Sequence, residues 1–171
     1  FFQAEDGIRD KLVTGVQNVC SSDLLASSGT IGVAGTLSYT ATYTTGALVN
    51  TGSTVDFNGT GASTVGAMNY NNLTISGART TNSVTLASSG TIGVAGTLSY
   101  TATYTTGALV NTGSTINFNG TGAQTVPAFT YDNLTTSGAR TTNSVTLASS
   151  GTIGVAGTLS YTATYTTGAL V

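Results

Sequence analysis

From Leu25 onward the chain repeats itself with a fixed period. The string LASSGTIGVAGTLSYTATYTTGALV begins at Leu25, again at Leu86 and again at Leu147, so that the unit is a 61-residue one. Residues 25–85 and 86–146 are two full copies, and 147–171 is a third that stops in mid-unit. The full copies differ at eight positions, among them Val55/Ile116, Asp56/Asn117, Ser63/Gln124, Gly66/Pro127, Met68/Phe129 and Ile75/Thr136. A period of this size marks a repeat architecture, in which each unit buries its apolar face against the next, and it outranks any local reading.

Inside one unit the apolar positions alternate. In Leu37-Ser38-Tyr39-Thr40-Ala41-Thr42-Tyr43-Thr44 the odd positions are apolar or aromatic and the even ones are Ser or Thr. Thr54 to Asn58 and Asn72 to Ser76 read the same way, and Ile31 with Val33 and Val84 with Leu86 give two shorter stretches. A period of two sends one set of side chains to a packed face and the other to water. Gly46, Gly52, Gly59, Gly61 and Gly77 fall between these stretches, where turns need a permissive backbone. No segment sustains helical spacing, so the chain is expected to be all-β. Charged residues are 6%, well below the ~25% of an average globular protein, and the β-branched, small composition suits strands and turns.

Two architectures compete: a small sandwich per unit, or a parallel β-helix (β-solenoid) of short strands with two or three turns per unit. The short strands and brief links favour the solenoid. No tryptophan or disulfide anchors a 61-residue globule. Near-identical independent neighbours would also invite mispairing, whereas in a solenoid they stack. The differences between copies fit stacking, since apolar replaces apolar at Val55/Ile116 and Met68/Phe129. Ile75/Thr136 is an exception. Gly66/Pro127 should be a turn or an edge, because proline cannot donate to a ladder.

The first 24 residues share no spacing with the rest. QAEDGIRD (Gln3 to Asp10) resembles the translation of one end of a common short-read sequencing adaptor, CAA-GCA-GAA-GAC-GGC-ATA-CGA-GAT. Lys11 and Leu12 then occupy the place of a sample index. Val13 to Gln17 and Val19 to Leu24 match the following adaptor blocks, with one inserted base at Asn18. The expectation is a non-native, unstructured leader over 1–24. This stretch holds Cys20, the chain's one cysteine, so no internal disulfide forms. A cysteine nucleophile needs a base such as histidine, and the chain has none. Glu5, Asp6 and Asp10 on a terminal arm lack the burial that would separate their pKa values.

Chemistry is sparse in the repeats. Their charged residues are Asp56, Arg79, Asp132 and Arg140. Asp56 and Asp132 are replaced by Asn117 and Asn71 in the other copy, which suits turn or surface residues better than paired catalytic carboxylates. Arg79 and Arg140, between Gly-Ala and Thr-Thr, read as a solvated loop. The calcium nonapeptide GGxGxDxUx does not occur, and Asp56-Phe57-Asn58-Gly59 is a fragment of a calcium loop at best. Gly29, Gly32 and Gly35 lack the lysine and the βαβ setting of a phosphate loop. Asn58, Asn72, Asn119 and Asn133 open Asn-x-Thr sequons and read as turn asparagines. Tyr39 and Tyr43 share a face with Leu37 and Ala41 and are expected to pack. Thr40 and Thr42 form a Thr-x-Thr pair of the kind ice-binding solenoids display, but it recurs only once per unit. The expectation is therefore no catalytic, cofactor or metal residue, and no enzyme.

The stretch FNGTGAQTVPAFTYDNLTTSGA (Phe118 to Ala139), with Asn58 to Ala62 and Asn72 to Thr74 and their copies, resembles the Thr/Gly/Asn-rich repeats of large bacterial surface proteins similar to filamentous adhesins. The resemblance covers 25–171. It implies a secreted or cell-surface parent, a β-helix stalk, and contact with surfaces or matrix. Expected partners are neighbouring repeats of the parent chain and glycan or surface ligands. The alternative is a carbohydrate- or ice-binding solenoid acting through exposed Thr faces. A formal charge of −2 with no basic patch argues against nucleic acid, and no apolar run is long enough to span a bilayer. No secretion signal opens the sequence, which reads as a fragment cut at both ends.

Overall fold

The computed structural model describes residues 25, 27–42 and 48–171. The leader expected over 1–24, with Cys20, lies outside the described residues, as do Tyr43 and Gly46. Twenty short strands follow one another: β1 (Thr30–Gly32), β2 (Thr54–Phe57), β3 (Ser63–Val65), β4 (Asn69–Tyr70), β5 (Asn72–Ile75), β6 (Ala78–Arg79), β7 (Val84–Leu86), β8 (Ile92–Val94), β9 (Leu98–Tyr100) and β10 (Thr103–Tyr104). The second half continues with β11 (Leu109–Val110), β12 (Thr115–Phe118), β13 (Gln124–Val126), β14 (Thr130–Tyr131), β15 (Asn133–Thr136), β16 (Ala139–Arg140), β17 (Val145–Leu147), β18 (Gly154–Val155), β19 (Leu159–Tyr161) and β20 (Thr164–Tyr165). Among the described residues no helix forms.

Every strand pairing is parallel, and each joins a strand to one a full coil later. The chain is a β-solenoid of about five turns. Strands β1-β2-β5-β9 form one column and β4-β8-β12-β15-β19 a second. A third holds β3-β7-β11. Strands β14 and β18 pair separately, and the side-chain amide of Asn111, just after β11, donates to the carbonyl of Thr130 in β14.

The alternation of the sequence becomes ladders of like residues along the axis. Val55, Leu73 and Leu98 stack in register in the first column. Ile92, Ile116 and Leu134 do the same in the second. Phe57, Val65, Tyr70, Val84, Val94, Phe118, Val126 and Val145 are wholly buried. Because each inward residue rests on its counterpart one turn away, the core is a continuous strip.

Turn length is uneven. The register advances by 24 from Ile31 to Val55, by 18 from Val55 to Leu73 and by 25 from Leu73 to Leu98. The second copy repeats it, from Ile92 to Ile116 to Leu134 to Leu159. Three turns therefore run from Ile31 to Leu98, six positions beyond Ile92, where the 61-residue unit brings the copy of Ile31. A unit makes about 2.7 turns, and successive copies are rotated about the axis. Strand β1 and its copy β8 accordingly lie in different columns.

The stretch expected as one eight-residue strand is bent. In the second copy it splits into β9 and β10, and the amides of Thr101 and Ala102 both donate to the carbonyl of Ile75 at the corner. Leu98 and Ala102 stay inside, but Tyr100 is turned to the surface at 37% exposure, and Tyr39 in the first copy at 38%. The two-residue period breaks at the corner, so Tyr39 and Tyr100 do not pack inward as the alternation predicts. Gly66 and Pro127 lie just after β3 and β13, outside the ladders, as expected for proline.

Candidate functional site

Corners, rather than strand faces, gather the polar side chains. Asn72 spans three turns. Its amide donates to the carbonyl of Ser53 below (3.3 Å), and its Oδ1 accepts from the backbone and hydroxyl of Thr97 above (3.0 Å each). Asn133 repeats this between Ser114 (3.1 Å) and Thr158 (2.9 Å). These sequon asparagines are thus corner braces: each Oδ1 accepts the Thr97 or Thr158 amide, and each side-chain amide adds a second donor to a carbonyl already bonded by the backbone.

Arg79 and Arg140 are not on a solvated loop. Each is 2% exposed, at the inward position of a two-residue strand. Arg79 donates through Nη1 to Ser76 (2.6 Å) and through Nη2 to Phe57 (3.1 Å), both backbone carbonyls. Arg140 donates through Nη1 to the carbonyl of Ser137 (2.7 Å) and through Nη2 to Oε1 of Gln124. A guanidinium carries several donors in a fixed fork, and here Arg79 ties the Ser76 carbonyl to that of Phe57, which also accepts the Ser76 amide. The signal available in the sequence was that these two charges persist in both copies while the aspartates do not.

The aspartates are separate. Asp56 lies in β2 and accepts from the Ser76 hydroxyl (2.8 Å), as Asn117 does from Ser137 (2.9 Å). Asp132 accepts from the amide of Gly113 (3.0 Å) and from Asn133 (3.0 Å). The Asp56 carboxylate performs a bond that an amide performs in the sister copy, a structural duty rather than an acid–base one. Among the described residues no group of three or more His, Cys, Asp or Glu gathers as a metal site would require. In the would-be calcium fragment, Phe57 is buried in the core between its neighbours Asp56 and Asn58.

The Thr-x-Thr pair does not build a ladder. Thr103, the copy of Thr42, is in register with Ala78 on the preceding turn, and Thr164 with Ala139. Among the registers of the described strands, threonines stack directly at Thr30/Thr54, Thr64/Thr85 and Thr125/Thr146, each over two turns and none at the Thr-x-Thr pair.

A surface recess lies within the second copy. Tyr100, Tyr104, Leu109, Asn111, Phe129 and Thr130 line an open groove of about 540 Å³. Tyr100 meets Phe129 edge-on with ring centroids 5.4 Å apart, and Phe129 meets Tyr131 at 4.8 Å. Burial first, and then the neighbouring Tyr100, push the Tyr104 phenol up to about 12. Burial likewise raises Tyr70 and Tyr131 well above the usual tyrosine range. Two of the groove's residues, Phe129 and Thr130, replace Met68 and Asn69 of the first copy, so the recess is not repeated identically. The bend that exposes Tyr100 also creates the groove, which is why the alternation gave no sign of it. Comparison with protein-family models, with curated proteins and with solved structures found no match.

Proposed function

We propose that the repeats form a non-enzymatic structural and adhesive stalk in a secreted or cell-surface bacterial repeat protein. The observation that carries this reading is the junction between copies. Strand β8 of the second copy pairs with β4 of the first, and β12 pairs on β8, by the same parallel registers that hold turns together inside a unit. A unit that joins its successor as it joins itself can be extended without limit, giving a stiff rod. With strands ~4.8 Å apart, about 2.7 turns lengthen the rod by about 13 Å per copy. The rotation between copies spreads equivalent surface residues around the axis, which suits many weak contacts whose strength grows with copy number. Residues 1–24 belong in this reading to a non-native leader, tested by sequencing genomic DNA without library ends.

The test is a series of arrays with two, four and eight units measured by small-angle scattering. Maximum dimension should rise linearly by about 13 Å per unit. Growth as the ~0.38 power of chain length, typical of compact globules, would refute a stalk. A second reading, carbohydrate binding, is favoured by the groove, where exposed Tyr100 and half-buried Phe129 flank the Asn111 amide. Glycan-array binding lost in both Tyr100→Ala and Phe129→Ala would promote it over passive extension.

A further inference from the structure

The two buried arginines sit in unlike surroundings, and one substitution, Ser63 for Gln124, removes a carboxamide from beside the first of them. In the second copy Gln124 closes the arrangement. Its Oε1 accepts from Arg140 Nη2 and from the amide of Gly120 (3.0 Å), and its Nε2 donates to the carbonyls of Val94 (2.8 Å) and Gly96 (3.1 Å). The Nε of Arg140 reaches the carbonyl of Gly122 at 3.4 Å. In the first copy the position of Gln124 is held by Ser63, which lacks the whole carboxamide. There the buried Ser63 hydroxyl and the buried Nε of Arg79 have no partner. Tyr104 lies in register with Arg79 on the next turn.

A guanidinium only donates, so an orphaned Nε calls for an acceptor. Among the described residues, Arg79 bonds backbone carbonyls and no carboxylate, so its full positive charge is uncompensated inside the coil. Burying a charge in that state is costly unless an opposite charge accompanies it. The acceptor must also be no larger than the carboxamide that fills the same place in the sister copy. We propose that the first copy holds a small monovalent anion, of the size and charge of chloride, between Arg79 Nε and the Ser63 hydroxyl. The anion takes space that the Gln124 carboxamide fills beside Arg140, although there Oε1 accepts from Nη2 and the Nε reaches the Gly122 carbonyl. Every further unit with Ser at this position would carry such a site, and every unit with Gln would not.

Thermal unfolding of the full chain in sodium chloride, with methanesulfonate as the replacement anion at constant ionic strength, tests this. Above the dissociation constant, each tenfold rise in chloride should raise Tm by about 3–6 °C. Ser63→Gln should abolish the chloride dependence, and Gln124→Ala, in the copy whose Arg140 Nε already has an acceptor, should leave it unchanged. Chloride-35 resonance lines should broaden with the unaltered chain and lose the broadening with Ser63→Gln, a readout that does not require comparing stabilities. Equal Tm in the two salts, as a bound water would give, overturns the proposal. So does a chloride dependence that survives Ser63→Gln.

Discussion

Replacing Thr136 with isoleucine should stabilise the second copy. Thr136 points into the core at 4% exposure, and its hydroxyl is buried without a partner. The same position in the first copy is Ile75, also buried. Ile75 stands between Phe57 and Tyr100 on the adjacent turns, and Thr136 stands between the corresponding Phe118 and Tyr161. The space is therefore of a shape that already accepts isoleucine, which removes the usual objection of overpacking. Deleting an orphaned buried hydroxyl recovers about 1–3 kcal/mol. The added methylene contributes about 0.8 kcal/mol. After some loss to imperfect fit, a net gain of about 2 kcal/mol is expected, read as a higher urea midpoint with unchanged slope. The reciprocal Ile75→Thr should lose a similar amount. If Thr136→Ile is neutral or destabilising while Ile75→Thr is costly, the two positions are not equivalent and the stacking of like on like is wrong.

Other outcomes follow from the corners and the phenols. Asn133→Ala strips two backbone partners at once and should cost about 1–3 kcal/mol, with faster hydrogen exchange at the Thr158 amide than at its neighbours. The raised phenols favour the protonated, folded state. Their stabilisation is full below about pH 10 and is lost as pH climbs through about 12, so absorbance at the tyrosinate band should rise together with alkaline unfolding.

The sequence announced the strands and the stacking well, because a two-residue period and a fixed repeat are direct consequences of a pleated backbone laid on copies of itself. Val55, Leu73 and Ile116 point inward as their alternation requires. It did not announce the number of turns per unit, since that depends on how many residues each corner absorbs. The shorter turn from Val55 to Leu73 and the longer one from Leu73 to Leu98 have similar composition. The burial of Arg79 was hidden for a related reason. Charge next to Gly and Thr normally means solvent, and only the corner geometry reveals the carbonyls that need its donors. Tyr39, whose copy is Tyr100, was misplaced because alternation holds along a straight strand and fails at a bend.

The rotation of copies is tested most directly by nitroxide labels at Thr74 and Thr135, equivalent outward positions one repeat period apart on β5 and β15. If a unit were three whole turns, the labels would sit in one column about 14 Å apart and broaden each other's continuous-wave spectrum. Because three turns overrun the unit, the two strands lie in different columns. The spectrum should stay narrow, and pulsed dipolar measurement should give one distance clearly longer than about 14 Å. Strong broadening at this pair would show that copies stack without rotation.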